Sequence, residues 1–181
     1  MGNKMIKQPF IIMLVGMPCS GKSKFVEDFL TPWLMKQEIY ADVLSTDDIV
    51  QHVATVTKSS FTSIHNHLTA DSTAIIDARI SLSSYMHMNI VLDQFNLTRK
   101  QRKYKLALMN YQADYFKIAI VFNEDHATIT KRNEARTGRT LKTSLMKDLS
   151  NRYCPVIPDE GFDLIVKPSE FIDAFMKDEV I

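Results

Sequence analysis

Residues 16–23 read GMPCSGKS and follow directly on the apolar run FIIMLV at 10–15. A short apolar run that meets a glycine reads as a buried parallel strand. From Ser23 onward, Val26, Phe29, Leu30 and Trp33 recur at helical spacing. Strand, glycine loop and helix, in that order, are the setting in which G-x-x-x-x-G-K-[ST] holds phosphate. Gly16 and Gly21 let the backbone aim N–H groups inward, with Met17, Pro18, Cys19 and Ser20 completing the loop. Lys22 is placed to reach the β- and γ-phosphates, and the Ser23 hydroxyl to ligate Mg²⁺. The helix N-terminus adds its partial positive charge. A nucleoside triphosphate is the expected ligand.

The bulk numbers narrow the class without naming a partner. At 181 residues the chain is expected to be one domain, 1–181, with a sizeable core. Its 22 basic and 21 acidic residues leave a net charge of +1, so only the distribution of charge bears on a polyanionic partner. No apolar run approaches the roughly 20 residues that span a bilayer, and MGNKMIKQPF lacks a secretory pattern. No membrane association and a cytoplasmic location are expected. Gly2 resembles a myristoylation start, but Ile6 stands where Ser or Thr is needed. Asn96-Leu97-Thr98 is a glycosylation sequon only in a secreted protein. Cys19 lies inside the loop, where a disulfide to Cys154 would distort the site, so both are expected as free thiols.

Strands are predicted at 10–15, 40–44, 88–92, 116–122 and 164–166. Helices are predicted at 23–37, 47–57, 62–86, 98–110, 126–134, 143–152 and 169–178. Pro32 should bend or end the first helix. The alternation implies an α/β fold: a parallel sheet with helices on both faces. Ligands in such folds sit beyond the C-terminal ends of the strands. GMPCSGKS, STDD and DQFN all fall there.

Phosphoryl transfer needs neutralised charge, alignment and an acceptor for the nucleophile's proton. Asp47, in LSTDDIV, is the candidate general base, with Thr46 beside it on the substrate side. Helix capping is the structural alternative, since Thr46 and Asp47 both suit a helix start and Asp48 is able to share that work. Asp93 ends NIVLD on a strand beside the loop, where it suits a Mg²⁺-bound water or a substrate hydroxyl. Its alternative role is to open the turn before Asn96, which joins the substrate set. In TKRNEARTGRT, Arg132 and Arg136 are four apart and would share a helix face, a suitable lid over a triphosphate at about 131–143. Gly138 would serve as its hinge; a solvated face paired with Glu134 is the alternative. RKQRKYK at 99–105 carries five basic residues in seven. It suits a nucleic-acid backbone and, equally, the wet face of a helix that buries Leu106, Leu108 and Met109. His65 and His67 are two apart and face different ways, which argues against a metal site with His52 or His87. The ten methionines read as core filler.

As a set, GMPCSGKS, STDD, VLDQFNLTRKQR and KRNEARTGR resemble the kinase domain of phage polynucleotide 5′-kinases and their P-loop kinase relatives. The likeness runs from about residue 10 to 166, and EGFDLI belongs to it. It implies a P-loop NTPase fold with an adenylate-kinase-like sheet, ATP and Mg²⁺ as cofactors, and frequent homo-oligomers. By this resemblance Lys22 and Ser23 serve ATP and Mg²⁺, Asp47 is the base, Asp93 lies in the acceptor site, and Arg132 and Arg136 form the lid. DNA or another nucleic acid is then the substrate, most simply at a strand's 5′-hydroxyl.

The departures fall on the acceptor half. End-phosphorylating members carry an arginine just before the Asp47 position and another three residues after it; here stand Thr46 and Val50. No phosphatase segment follows before Ile181, so an enzyme that adds phosphate without removing it is expected. Some phage relatives resemble kinases of 5-hydroxymethyluracil within DNA, for which a strand-end clamp is unnecessary. A small-metabolite kinase and a non-catalytic nucleotide-binding module remain further alternatives.

Overall fold

The computed structural model describes residues 8–109, 114–136 and 140–175. Five strands form one sheet: β1 (Phe10–Gly16), β2 (Ala41–Leu44), β3 (Asn89–Leu92), β4 (Phe116–Phe122) and β5 (Leu164–Val166). All neighbours are parallel, in the order β2-β3-β1-β4-β5. β1 therefore lies between β3 and β4, and its C-terminal end opens where the chain changes direction across the sheet. That is where ligands settle in such folds.

β1 is buried on both faces, as its unbroken apolar run requires. Phe10, Ile12 and Leu14 point into one core with Leu30, Trp33, Leu34 and Phe171. Ile11, Met13 and Val15 point into the other with Ile76, Ile80, Met109 and Tyr115. The period-two alternation of a strand thus supplies both layers.

After the loop the chain runs as one helical rod, α1 (22–36), built of Lys22–Phe25, a π-helical turn Val26–Leu30, and Thr31–Lys36. Pro32 was expected to bend or end it, yet the helix continues to Lys36. The wide π turn, closed by the Thr31 N–H on the Val26 carbonyl, loosens the ladder ahead of the proline ring. Val26, Leu30 and Trp33 are buried as predicted, whereas Phe29 is about half exposed and lies 6.0 Å from the Phe25 ring.

The remaining helices are α2 (Thr46–Val56), α3 (Phe61–Tyr85), α4 (Arg99–Ala107), α5 (His126–Glu134), α6 (Thr143–Arg152) and α7 (Pro168–Phe175). A 3₁₀ turn, Pro158–Glu160, precedes β5. Most helix starts have their own cap: Ser45 for α2, Ser60 for α3, a Thr98–Gln101 capping box for α4 and Asp125 for α5. The predicted hinge at Gly138, Gly2 and residues 176–178 lie outside the described residues. Among the described residues, no helix is long and apolar enough to cross a membrane. Cys19 and Cys154 are both free thiols.

Candidate active site

The loop at the end of β1 is shaped by two glycines. A Cβ on Gly16 would fall 2.8 Å from the Phe122 carbonyl oxygen, 2.9 Å from the Phe122 Cβ and 2.9 Å from Ser20 Oγ, so backbone is packed where any side chain would go. Gly21 has φ +97° and begins α1 with no side-chain cap. The first N–H groups of α1 are thereby left for an anion.

Lys22 is 6% exposed, and its Nζ donates to the carbonyls of Gly16 (2.9 Å) and Met17 (2.7 Å), with Ser20 Oγ at 3.4 Å. These acceptors are all neutral. Burial draws the ammonium down to about 8, partly opposed by the charges of Asp93 and Asp47. A buried cation held by neutral oxygens, beside uncapped helix N–H groups, fits a phosphate group. This is the cradle the sequence predicts for the polyphosphate of ATP.

Asp93 follows β3, with its N–H bonded to the Leu44 carbonyl at 3.0 Å. Its carboxyl is raised above the ordinary range, chiefly by burial, with Asp48 and Asp47 adding to the rise. A hydrogen bond from the Ser23 hydroxyl and the charge of Lys22 oppose it. Ser23 and Asp93 thus present two oxygens side by side. That donor set suits Mg²⁺, which is typically held by one or two protein oxygens, with phosphate and water completing the octahedron. Among the described residues no group of three or more His, Cys, Asp or Glu side chains that could hold a metal ion occurs.

Asp47 stands on the first turn of α2, half buried, and close enough to act on both Lys22 and Asp93. Capping is done elsewhere: Ser45 Oγ accepts the Asp48 N–H at 3.3 Å. Thr46 is half buried on the same turn. Val50 is 1% exposed.

Asn96 departs from expectation. Its side chain is 4% exposed, and Nδ2 donates to the Leu14 carbonyl at 2.8 Å and lies 3.4 Å from the Gln94 carbonyl. With φ +49° it holds the loop after β3 against β1, and its amide N–H groups are directed at backbone carbonyls.

On the other side of the loop, α5 ends at Glu134, so the two arginines do not share one continuous helix. They still converge. Arg132 Nη1 reaches the Cys19 carbonyl at 3.3 Å and Glu124 at 3.6 Å. Arg136 Nη1 lies 3.6 Å from Cys19 Sγ. Cys19 itself has φ +64°, a left-handed conformation that glycine adopts without strain. Asn133, which sequence reasoning passed over, exchanges two 2.9 Å hydrogen bonds with the backbone of Leu141 and so ties α5 to the segment before α6. Beyond it a cavity of about 140 Å³ opens between Met17, Phe122, Ile129, Met146 and Tyr153.

The basic cluster is divided: Arg102 and Lys105 face inward, whereas Arg99, Lys100 and Lys103 face solvent. Arg102 is fully buried and grips Glu160 with two bonds (Nε–Oε2 2.6 Å, Nη2–Oε1 2.7 Å), while its Nη1 holds the carbonyls of Asn96 and Leu97 at 3.0 Å each. Lys105 is buried against Asp77. Glu160 is the acid of the EGFDLI stretch. Burial would raise its carboxyl, but hydrogen bonds from Arg102 and the Ile157 N–H, with the charges of Arg102 and Arg99, hold it below the ordinary range. Lys100 and Lys103 remain on the solvent side.

Sheet order, phosphate loop and converging arginines define a kinase-type P-loop fold. The chain belongs to the AAA domain family (AAA_33), which it matches over residues 11–153. No curated protein matches it. Among solved structures it is similar to a Chloroflexus aurantiacus protein, with 14% identity over 97% of this chain and 93% of that one and a TM-score of 0.63. It is similar to Chaetomium thermophilum Kti12 in complex with ADP-AlF3, with 15% identity over 86% and 87% of the two chains and a TM-score of 0.60. A fungal RNA kinase shares 16% identity over 88% of this chain and 74% of that one, with a TM-score of 0.53. At these identities the likeness establishes the fold.

Proposed function

We propose that the protein transfers the γ-phosphoryl group of ATP to a hydroxyl of a nucleic-acid substrate. The observation that carries this reading is the convergence of Asp47 and Asp93 on Lys22 and Ser23. Two carboxylates beside a phosphate-binding lysine supply what hydroxyl activation and metal binding require. Lys22 and the first N–H groups of α1 hold the β- and γ-phosphates. Ser23 and Asp93 hold Mg²⁺, which when bound neutralises phosphate charge. Asp47 takes the proton of the acceptor hydroxyl as its oxygen bonds to the γ-phosphorus. The bond to the β–γ bridging oxygen breaks and ADP leaves. Arg132 and Arg136 stabilise the charge spread over the transferring group. The cavity at Met17 and Tyr153 lies on the β4 side of the loop, opposite Asp47 and Asp93, and suits the nucleoside of ATP.

Two acceptor hydroxyls fit: the 5′ end of a strand, and the hydroxymethyl group of a base such as 5-hydroxymethyluracil in DNA. The burial of Val50 favours the second. A strand-end clamp at that position would have to place a guanidinium in a site with no solvent access.

Transfer of labelled γ-phosphate tests the proposal. Substrates are a 5′-hydroxyl oligonucleotide, a 5′-blocked duplex containing 5-hydroxymethyluracil, and free nucleosides, with Lys22→Ala as control. Label on either polymer supports the reading, and the blocked duplex separates its two forms. Label on nucleosides alone, or on nothing while ATP binds, rejects it.

A further inference from the structure

Among the described residues, most large apolar side chains left open to solvent lie on helices; Phe95 lies instead in the loop between Asp93 and Asn96, and is 40% exposed. Its ring centroid is 5.1 Å from Lys22 Nζ, so the ring stands at the mouth of the phosphate site, on the side of the two carboxylates. Scattered exposed apolar residues need no explanation, but this one is held with unusual care.

Every residue around it is pinned. The Phe95 carbonyl accepts the Gly16 N–H at 3.0 Å, tying its backbone to the start of the phosphate loop. The Asp93 N–H is bonded to Leu44, and Asn96 is clasped to Leu14 in a left-handed turn. Arg102, itself locked on Glu160, holds the carbonyls of Asn96 and Leu97, and the Cys154 N–H takes the Leu97 carbonyl at 2.9 Å. A loop over-determined in this way, presenting one aromatic ring beside the phosphate-site lysine, is a rigid platform. A ring fixed by its own backbone loses little entropy when another ring settles on it.

We infer that Phe95 is the stacking platform for a heteroaromatic base of the acceptor, and so a specificity-determining residue. The inference rests on the nucleic-acid reading above and adds to it the group that is recognised: the flat face of a base, rather than a backbone phosphate. It is consistent with the burial of Val50, Arg102 and Lys105, which leaves none of the three open to a backbone phosphate. The cation–π contact with Lys22 then couples base stacking to the phosphate site, since both ligands meet on the two sides of one ring–ammonium pair.

The test is binding to the Mg·ADP-loaded protein of a thymidine pentamer and of an abasic pentamer of equal length and charge. Each is measured by fluorescence anisotropy for the wild type, Phe95→Leu and Phe95→Trp. Stacking on one aromatic ring predicts a wild-type preference for the base-bearing pentamer of roughly 5- to 150-fold. Phe95→Leu keeps the apolar cover over Lys22 but has no ring, and should bring the ratio close to one. Phe95→Trp should keep it. A wild type that does not discriminate, or a Phe95→Leu that discriminates equally well, overturns the inference. The two readings fail separately. A Phe95-dependent ratio without any phosphate transfer rejects the proposed reaction and leaves the platform standing. Transfer to a polymer with a Phe95-independent ratio does the reverse.

Discussion

The Ser45 hydroxyl accepts the Asp48 N–H at 3.3 Å, and this bond releases Asp47 from the work of starting α2. The two roles separate by mutation. Asp47→Asn should lower turnover by roughly 10²–10⁴-fold while leaving ADP affinity and thermal stability nearly unchanged. Ser45→Ala should instead cost about 1 kcal/mol of stability. Single-turnover kinetics and calorimetry on the two variants decide the matter, and a fully active Asp47→Asn removes Asp47 as the base.

Lys22 gives the site a pH dependence with a definite sign. Its native value of about 8 lies below the 10.5 of the unfolded chain, so between the two the unfolded state binds more protons. Stability without ligand therefore gains from Lys22 as pH rises through that window. Phosphate binding needs the ammonium and moves the other way. ADP affinity should fall by up to roughly tenfold per pH unit above about 8, with proton uptake on binding seen by calorimetry in buffers of different ionisation heat. Lys22→Met should bind weakly at every pH. A wild-type affinity flat from pH 7 to 9.5 contradicts the assignment.

The Arg102–Glu160 pair predicts that the basic cluster is structural at its centre. Arg102→Ala leaves a buried carboxylate alone and should cost about 3–5 kcal/mol, whereas Lys100→Ala and Lys103→Ala should each stay within about 0.5 kcal/mol. Glu160 sits below its ordinary range, so its contribution is complete above the unfolded value and is lost as pH falls through the native one. Acid unfolding of the wild type against Glu160→Gln measures that loss. Equal denaturation midpoints for Arg102→Ala and Lys100→Ala would show the pair to be incidental.

Arg132, which is exposed, and Arg136, which is half-buried, reach the phosphate loop through Cys19, so their removal should be felt in catalysis. Loss of either guanidinium should lower turnover by roughly 10³-fold or more, with a melting temperature close to wild type. A drop in stability without a loss of rate would mark them as structural.

Gly16→Ala places a methyl group against backbone that has no room to move. A cost of about 1–3 kcal/mol is expected, together with loss of nucleotide binding as the loop shifts. Tight ADP binding by a correctly folded Gly16→Ala would mean the loop is more tolerant than its packing implies.

Much of this was legible in the chain because it is local. Apolar runs and their periods predict all five strands to within a residue or two, and GMPCSGKS announces its own conformation. What failed did so for tertiary reasons. Pro32 does not end α1, which resumes to Lys36 after a π turn directly ahead of it. Asn96 reads as a substrate ligand, and its amide is spent on Leu14, 82 residues away in sequence. RKQRKYK reads as a nucleic-acid grip or the wet face of a helix; Arg99, Lys100 and Lys103 keep to solvent above Leu106, Leu108 and Met109, but its middle arginine lies in the core. Phe95 passed unnoticed, although an aromatic ring in a polar loop between Asp93 and Asn96 was a signal that could have been read.

By itself, then, the sequence determined the elements, the phosphate loop and the two strand-end carboxylates, because backbone propensity and apolar period act over a few residues. Only the tertiary structure decided the strand order, which sets Asp93 beside Ser23, and the fate of the charges. Arg102 finds Glu160 across 58 residues of chain. Whether a cation faces water or a buried carboxylate depends on what folds over it, and no local pattern carries that information.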